Sequence, residues 1–179
     1  NEIVENSFYC IDHTSVNGLN HVTPYGLFET QFEDWFSAGM TLYIDDYMTR
    51  IDGTIDGTEY YRIGNVNDIR SVLPFAANDI YSFMQTSDID LSADPGLYIP
   101  VFAGQEYEGS GYSISNLDLT SLSNNDLGFF GYVTGDILNL SILDCEVKGN
   151  DACGGLAGRN GWKNDWENEK VFGRNKEPA

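Results

Sequence analysis

The last third of the sequence repeats itself, and this repeat limits the possible folds more than any other feature. Residues 116–119 (NLDL) resemble residues 139–142 (NLSI), 23 positions later, and residues 128–131 (GFFG) resemble residues 155–158 (GLAG), 27 positions later. Repeats of this length, rich in β-formers and glycine, are typical of chains in which each unit stacks on the previous one. In such a unit Leu and Ile point inward, Asn occupies a corner and Gly allows a tight turn. The repeat therefore predicts a mainly β protein, built as a β-solenoid.

The chain from residue 80 onward also has the pattern of short strands. Apolar and polar residues alternate in brief segments bounded by Gly, Asp, Asn or Ser, and no helical period is present. Two more strands are predicted upstream, with Asp-Gly turns between them. The predicted strands are residues 41–44, 59–63, 81–85, 89–91, 98–102 and 112–119.

Two short helices are expected before residue 80. Aromatic residues recur at helical intervals over residues 30–38, where Thr30 and Glu33 have the spacing of a capping box. A second helix is predicted to begin after an asparagine cap, for which both Asn65 and Asn67 are candidates. The fold is therefore expected to contain a mixed α/β part ahead of the β repeats.

Five motifs follow one another in a fixed order in the second half of the chain. They are residues 85–92 (QTSDIDLS), 98–101 (YIPV), 107–117 (YEGSGYSISNL), 128–131 (GFFG) and 154–158 (GGLAG). In this order they resemble the GLUG-type repeats of bacterial surface proteins, over roughly residues 60–161. The resemblance implies a short right-handed parallel β-helix in which a strand and a short helix cap the first turn.

This resemblance divides the chain into three parts. Residues 1–59 are expected to form an N-terminal cap of unassigned fold, residues 60–161 the β-helix and residues 162–179 a polar tail. It also implies an extracellular or cell-surface protein, since such repeats occur in large adhesins, in secreted proteins and as accessory regions of metallopeptidases, and it implies this location more firmly than an activity. Because a terminal coil would present unpaired backbone groups, end-to-end stacking into a homo-oligomer or strand donation is a further expectation.

The charge of the chain is strongly negative and unevenly distributed. The sequence holds 28 Asp and Glu against 9 Lys and Arg, a net charge of −19, and residues 1–147 alone hold 23 acids against 3 bases. Nucleic acid is excluded as a partner because its phosphates would be repelled. No apolar run is long enough for a membrane span, so membrane insertion is not expected. Counter-charge is expected from bulk salt, divalent cations or a basic surface on another molecule.

The cysteines indicate an oxidising compartment. Cys145 and Cys153 are separated by a polar loop whose length a local disulfide could close. Cys10 is then buried and inert, paired with one of the other two, or free to crosslink a neighbouring molecule. A first residue of Asn rather than Met indicates a processed or excised chain.

No catalytic residue is predicted. The two histidines, His13 and His21, lie outside any HExxH motif, and the sequence has no G-x-S-x-G or phosphate-binding loop. Asp88 and Asp90 would project from the same face of a strand, as acid–base catalysis or cation binding requires, but a structural role is favoured for them. A carbohydrate-active enzyme on a β-helix is therefore the third functional hypothesis.

Calcium is the cofactor that the sequence favours. Asp45, Asp46, Asp52 and Asp56 concentrate carboxylates around glycine turns whose carbonyl groups could complete a coordination shell. The EF-hand pattern is not met, since position 12 counted from Asp52 is Ile63. The alternative is a pair of ordinary Asp-Gly turns.

Two tryptophans near the C-terminus are candidate contact residues. Trp162 and Trp166 lie in an otherwise polar stretch, where they either pack the tail against the last repeat or dock a glycan or a neighbouring subunit. The leading hypothesis is a non-catalytic adhesion or ligand-recognition module that binds a glycan or protein ligand, supported by calcium. The second is a structural subunit that assembles end to end into a filament.

Overall fold

The computed structural model describes residues 7–15, 22–120 and 124–161. In this part of the chain two α-helices, α1 (Glu29–Ser37) and α2 (Val66–Val72), accompany sixteen strands of two to four residues. The mainly β character predicted from the sequence is thereby confirmed. The strands are β1 (Tyr9–Cys10), β2 (Gly26–Leu27), β3 (Tyr61–Ile63), β4 (Ser82–Gln85), β5 (Ile89–Asp90), β6 (Ile99–Phe102), β7 (Glu106–Glu108), β8 (Ser113–Ser115), β9 (Asp118–Thr120), β10 (Asn125–Leu127), β11 (Phe130–Val133), β12 (Asp136–Leu138), β13 (Ser141–Leu143), β14 (Glu146–Lys148), β15 (Asp151–Cys153) and β16 (Ala157–Asn160).

The pairings between these named strands are all parallel in the described residues. From β6 onward each strand pairs with the fifth strand that follows it, from β6 with β11 to β11 with β16. The chain thus passes the same five positions twice. We call strands β6 to β10 the first layer and strands β11 to β15 the second layer.

Apolar side chains stack from layer to layer inside this arrangement. Ile114 is opposite Ile142 and Leu119 is opposite Val147 in the strand register. A cluster of buried rings, with centroids 4.8 to 6.4 Å apart, fills the interior beside them. Its members are Phe83, Phe102, Tyr107, Phe129 and Phe130.

The side of the strands nearest the N-terminus is covered by the chain itself. Helix α2 packs Ile69 and Val72 into the core, and both residues are fully buried. Beside β3, the amide N–H of Arg62 donates to the carbonyl oxygen of Thr49 at 2.9 Å. Residues upstream of position 59, including Ile11 and Ile44, belong to the same hydrophobic cluster as the layers.

The helix predictions hold, with one correction to a cap. Asn65 caps α2 by accepting from the amides of Asn67 and Asp68 at 2.9 and 3.3 Å. Helix α1, predicted near residues 30–38, spans Glu29–Ser37, but Thr30 does not cap it, since Phe28 is the N-cap residue. Instead the carboxylate of Asp12, distant in sequence, accepts from the Glu29 amide at 2.8 Å.

The strand predicted over residues 41–44 is wrong. Residues 41–43 carry no regular structure, and Ile44 begins a 3₁₀ turn, Ile44–Asp46, in which its side chain is buried. A strand requires a partner with free backbone groups. Residues 49–51, and not residues 41–44, form the backbone hydrogen bonds beside β3.

One of the two repeat alignments differs from the observed register. The 27-residue spacing holds, since Phe130 is opposite Ala157. The 23-residue spacing is wrong, since Asp118 is opposite Glu146, 28 positions later. The motifs look alike because Asn116 and Asn139 both have positive φ, 60° and 50°, at two different corners of a layer.

The glycines of the repeat have a different role from the expected one. Gly128, Gly131, Gly155 and Gly158 do not have positive φ. A methyl group on Gly131 would lie 2.5 Å from the carbonyl oxygen of Pro100 in the neighbouring layer. Glycine is therefore required by the close approach of two backbones rather than by a tight turn.

Candidate functional site

The first of the four predicted calcium ligands is bound to an arginine. The Asp45 carboxylate accepts from Arg50 Nε at 2.8 Å and Nη2 at 3.1 Å, and from the Tyr61 hydroxyl at 3.0 Å. Arg50 also donates to Glu59 at 3.1 Å and lies over the Tyr61 ring, 5.1 Å from its centroid. The hydrogen bonds from Arg50 and Tyr61 lower the pKa of Asp45. Asp45 thus anchors residues 45–50 to β3.

The other three carboxylates are exposed. Asp46 lies in the 3₁₀ turn, while Asp52 and Asp56 lie in the glycine turns that follow. Asp56 and Gly57 have φ of 50° and 87° between the bridged residues Ile55 and Thr58, so the predicted Asp-Gly turn is present. Within residues 7–15, 22–120 and 124–161, no three His, Cys, Asp or Glu side chains are grouped to hold a metal ion. The four predicted ligands are therefore not brought together, and calcium stays a prediction.

The Asp88 and Asp90 carboxylates connect neighbouring segments. Asp88 accepts from the amide and the hydroxyl of Ser113 at 2.8 and 2.9 Å. Asp90 accepts from the side-chain amide of Asn116 and the backbone amide of Ser92, both at 2.8 Å. These bonds stabilise the ionised carboxylates and lower the pKa of each. They support the structural role favoured from the sequence.

The predicted Cys145–Cys153 disulfide is not present in the structure. All three cysteines are free thiols; Cys10 is buried, whereas Cys145 and Cys153 are exposed. Each of the two exposed sulfurs packs beside a glycine. A methyl group on Gly155 would lie 2.9 Å from the Cys145 sulfur, and one on Gly149 would lie 2.8 Å from the Cys153 sulfur.

An open groove runs along one corner of the two layers, and we call it the corner groove. It has a volume of about 390 Å³. The backbone turns at Asn116 in the first layer and at Asp144 in the second, with φ of 60° and 48°. The amide N–H of Glu146 donates to the Leu117 carbonyl at 2.8 Å and holds the two turns in register. The groove is lined by Asn116, Leu117, Asp118, Asp144, Cys145 and Glu146.

The corner groove is negatively charged. Asp118, Asp144 and Glu146 contribute carboxylates, of which Asp118 accepts from the Thr120 hydroxyl at 2.9 Å. Lys148 donates to Glu146, and this hydrogen bond, with the charges of Glu146 and Asp118, raises the pKa of Lys148. Several acceptor oxygens therefore face a space open to solvent. Such a site offers hydrogen bonds to hydroxyl or ammonium groups of a ligand.

Sequence reasoning did not find this groove. Asp118 and Glu146 are separated by 28 positions and become neighbours only through the pairing of β9 with β14. The sequence signal for the corners of the groove is an Asn or Asp before a short alternating strand, because these residues tolerate positive φ. Trp162 and Trp166, the other predicted contact residues, lie outside the described residues.

No protein-family model, curated protein or solved structure matches the chain. The resemblance to GLUG-type repeats therefore stays a prediction from the sequence. Among the described residues, neither helix has both the length and the apolar character needed to cross a membrane.

Proposed function

We propose that this chain is a non-catalytic ligand-recognition module of an extracellular bacterial surface protein, built on a short right-handed parallel β-helix with GLUG-type repeats. The observation that carries the proposal is the pairing of each strand from β6 to β11 with the fifth strand that follows. Parallel strands joined by short connections, with an apolar interior, are what a coiled array of this kind needs. The N-terminal residues with α1 and α2 act as its mixed α/β cap.

The proposed recognition surface is the outer face around the corner groove. Asp118 and Glu146 occupy adjacent strands at directly opposed positions, so their spacing is set by backbone hydrogen bonds. A rigid pair of this kind loses little conformational entropy when a ligand binds. Sugar hydroxyls or basic groups of a protein ligand would donate to these oxygens. Calcium would support binding at Asp46, Asp52 and Asp56, which are exposed.

Retention on a panel of glycans and host-surface proteins, with calcium and with chelator, tests this proposal. Two variants with the same loss of charge are compared: Asp144→Asn with Glu146→Gln in the groove, and Asp52→Asn with Asp56→Asn in the loop. The groove variant is expected to lose retention and the loop variant to keep it in chelator. If calcium increases the retention of the unmodified chain and this increase is absent in the loop variant, the result would support calcium binding at the loop.

Three outcomes would contradict the proposal. Absence of retention under every condition would remove ligand recognition, and equal retention by both variants would remove the groove from it. Release of new sugar ends during the assay would favour the carbohydrate-active enzyme instead. The third outcome is decisive only if Asp88→Asn or Asp90→Asn abolishes the release.

A second candidate function is a subunit that self-assembles through its strand stack. It is favoured by β12 to β15, each of which is paired on one side only within the described residues. Contact between the unpaired edges of two copies would give a closed pair of subunits, whereas contact of these edges with β5, β6, β9 and β10 of another copy, which are also paired on one side only within the described residues, would give a filament. Electron microscopy and light scattering of the purified chain separate these cases, and a monomer at all concentrations would exclude both.

A further inference from the structure

Helix α1 presents to solvent a stripe of carboxylates and aromatic rings. Its buried residues are Gln31 and Trp35, which lie on the side that packs against the rest of the chain. Residues spaced three, four and seven positions apart share one face of a helix. On the exposed face this spacing places the four residues that we call the acid–aromatic stripe, which are Glu29, Phe32, Glu33 and Phe36. Phe36 is 66% exposed, so the stripe leaves a large apolar ring open to solvent.

A row of aromatic rings connects this stripe to a small apolar pocket. The centroids of successive rings are 6.4, 5.4, 5.7 and 6.5 Å apart. In order from the pocket, the rings belong to Tyr25, Phe8, Trp35, Phe32 and Phe36. Trp35 is 6% exposed and fixes the middle of the row, whereas Tyr25 at its other end is 56% exposed. Contiguous rings that reach solvent beside charged residues are typical of an interaction site.

The pocket at the Tyr25 end has the size of one side chain. Its volume is about 90 Å³, which is that of roughly three water molecules in the liquid. This volume is too small for a drug-sized ligand. Its lining is uncharged and includes Pro24, Pro74 and Pro100. A pocket of this kind fits a single apolar side chain that anchors a longer binding segment.

The charge around the stripe favours a basic partner. Residues 22–49 contain five Asp and Glu and no Lys or Arg. A second copy of the chain would place the same carboxylates against them and would be repelled. Glu33 belongs to none of the ion pairs that form within the described residues, so its carboxylate is open to a base from outside.

Two arginines of the chain show which base such a combination of groups binds. Arg70 lies over the Phe28 ring, 5.0 Å from its centroid, and donates to the Asp94 carboxylate. Arg50 is held in the same way, between a tyrosine ring and a carboxylate. The acid–aromatic stripe offers the same two groups three positions apart, which makes them neighbours on the helix surface. It therefore offers an arginine from outside the binding groups that the chain gives to its own arginines.

We propose that the acid–aromatic stripe and the pocket dock a short segment of a partner protein that carries arginine and apolar side chains. An apolar side chain enters the pocket beside Tyr25, and a guanidinium lies over the Phe36 ring and donates to Glu33. A guanidinium is planar and weakly hydrated, so it stacks on a ring better than an ammonium group does. This surface shares no residue with the corner groove, so the inference goes beyond the proposed function and does not depend on it.

Binding of dye-labelled octapeptides to the full chain, followed by fluorescence anisotropy at physiological ionic strength, tests the proposal. One peptide alternates Arg with Leu, one Arg with Gly and one Lys with Leu, so all three carry the same charge. The stripe variant carries Glu33→Gln and Phe36→Ala, which place good helix formers in α1. The matched control, Asp136→Asn with Leu138→Ala, loses one exposed carboxylate and one exposed apolar side chain from β12. A third variant, Ala77→Leu, narrows the pocket from its exposed rim.

The Arg–Leu peptide is expected to bind the unmodified chain and the matched control equally, and the stripe variant about tenfold more weakly. Phe36→Tyr keeps a ring at this position and should keep the binding. Ala77→Leu should reduce the affinity of the Arg–Leu peptide to that of the Arg–Gly peptide, because neither combination has an anchor in the pocket. The Lys–Leu peptide should bind the unmodified chain more weakly than the Arg–Leu peptide.

Equal affinities for the stripe variant and the matched control would overturn the proposal, because the peptide would then bind the acidic body as a whole. Equal binding of the three peptides would overturn it too, since charge alone would suffice. If circular dichroism shows that the stripe variant unfolds, Ala77→Leu and the comparison of peptides on the unmodified chain decide.

Other occupants of the surface would also be revealed. Self-association of the unmodified chain that the stripe variant lacks would make a second copy the occupant, and retention of an uncharged glycan that only the stripe variant lacks would make it a sugar. Both results would overturn the proposal. Loss of peptide binding in the groove variant, Asp144→Asn with Glu146→Gln, would place the peptide in the corner groove and would also overturn it. The proposed function is decided separately, by retention on the ligand panel.

Discussion

At the residue scale, Asn and Asp serve this protein as corner residues. Asn116, Asp126, Asn139 and Asp144 all have positive φ, between 48° and 60°. Short polar side chains tolerate this conformation because they form local hydrogen bonds. Two of them also bond to the neighbouring segment, where Asn116 donates to Asp90 at 2.8 Å and Asn139 donates to Glu108 at 2.9 Å. A corner residue therefore turns the chain and connects one layer to the next.

The bond between Asn116 and Asp90 predicts a pH effect. Because Asn116 is the largest cause of the lowered pKa of Asp90, Asn116→Gly should raise that pKa toward its ordinary value of 3.8. Glycine keeps the positive φ at this corner. Carboxyl titration by NMR measures the change, with Asp88, which bonds to Ser113, as the control that should not move.

The sign of the stability effect follows from the direction of this shift. A carboxyl whose pKa is lower in the folded state stabilises the fold above its unfolded pKa, and this contribution is lost as the pH falls through the folded pKa. The difference in stability between the unmodified chain and Asn116→Gly should therefore shrink on acidification below 3.8. A difference that grows instead would contradict this role for Asp90.

A buried glutamine gives a second prediction. Gln85 is fully buried, and its side-chain amide donates to the carbonyls of Ser87 and Ser113 at 2.9 and 2.8 Å. The hydroxyl of Tyr107 donates to its side-chain oxygen at 3.3 Å. Gln85→Leu leaves these groups without partners and should reduce the free energy of unfolding by about 3 kcal/mol. Tyr107→Phe removes one long hydrogen bond and should cost about 1 kcal/mol. Urea unfolding measures both, and equal costs would contradict the assignment.

At the scale of elements, the two helices begin in different ways. The cap of α2 is local, since Asn65 bonds to amides two and three residues later. The start of α1 depends on Asp12, whose carboxylate accepts from the backbone amide of Glu29, 17 positions later. A local cap can be predicted from spacing, whereas a distant one depends on how the chain folds back.

The cap of α2 provides the prediction at this scale. Asn65→Ala should lower the free energy of unfolding by about 1 kcal/mol, because two backbone amides lose their acceptor. Asn67→Ala is the matched control, since Asn67 is exposed and contributes only its backbone amide. Thermal unfolding followed by circular dichroism compares them. A larger effect at Asn67 would show that the cap is wrongly assigned.

At the scale of the whole molecule, the main electrostatic feature is the excess of negative charge. A net charge of −19 on 179 residues opposes the compact state by self-repulsion. Ion pairs such as Arg50 with Asp45 and Arg159 with Asp126 are partly exposed, so they offset only a small part of this repulsion. The corner groove adds to it, because Asp118, Asp144 and Glu146 line the same space.

This charge predicts that salt stabilises the protein. Raising the ionic strength from 0.01 to 0.15 M shortens the Debye length from about 30 to about 8 Å and should raise the melting temperature by roughly 2–4 °C, as expected for about 1 kcal/mol. Calorimetry in sodium chloride measures this effect. Calcium chloride at the same ionic strength is the comparison, since a larger rise would indicate specific binding. A melting temperature that falls with salt would contradict the prediction.

Local sequence determined the features that depend on a few neighbouring residues. The strands β4, β5 and β6, the Asp56–Gly57 turn and the Asn65 cap followed from alternation, Asp-Gly pairs and capping preference, whereas the single strand predicted over residues 112–119 is two strands, β8 and β9, divided by the corner at Asn116. Each is stabilised within its own segment, by side-chain bonds to nearby backbone or by one apolar face. Such features are visible without knowledge of the partners.

Only the tertiary structure decided what depends on contacts between distant residues. The 28-residue register that joins Asp118 to Glu146, and hence the corner groove, depends on how the connections between strands close. The carboxylate of Asp45, which the sequence assigned to calcium, binds Arg50 instead. A carboxylate has the same appearance in sequence whether it meets a metal, an arginine or water. Its partner depends on the packing of the whole chain and therefore cannot be predicted from the spacing of residues within one segment.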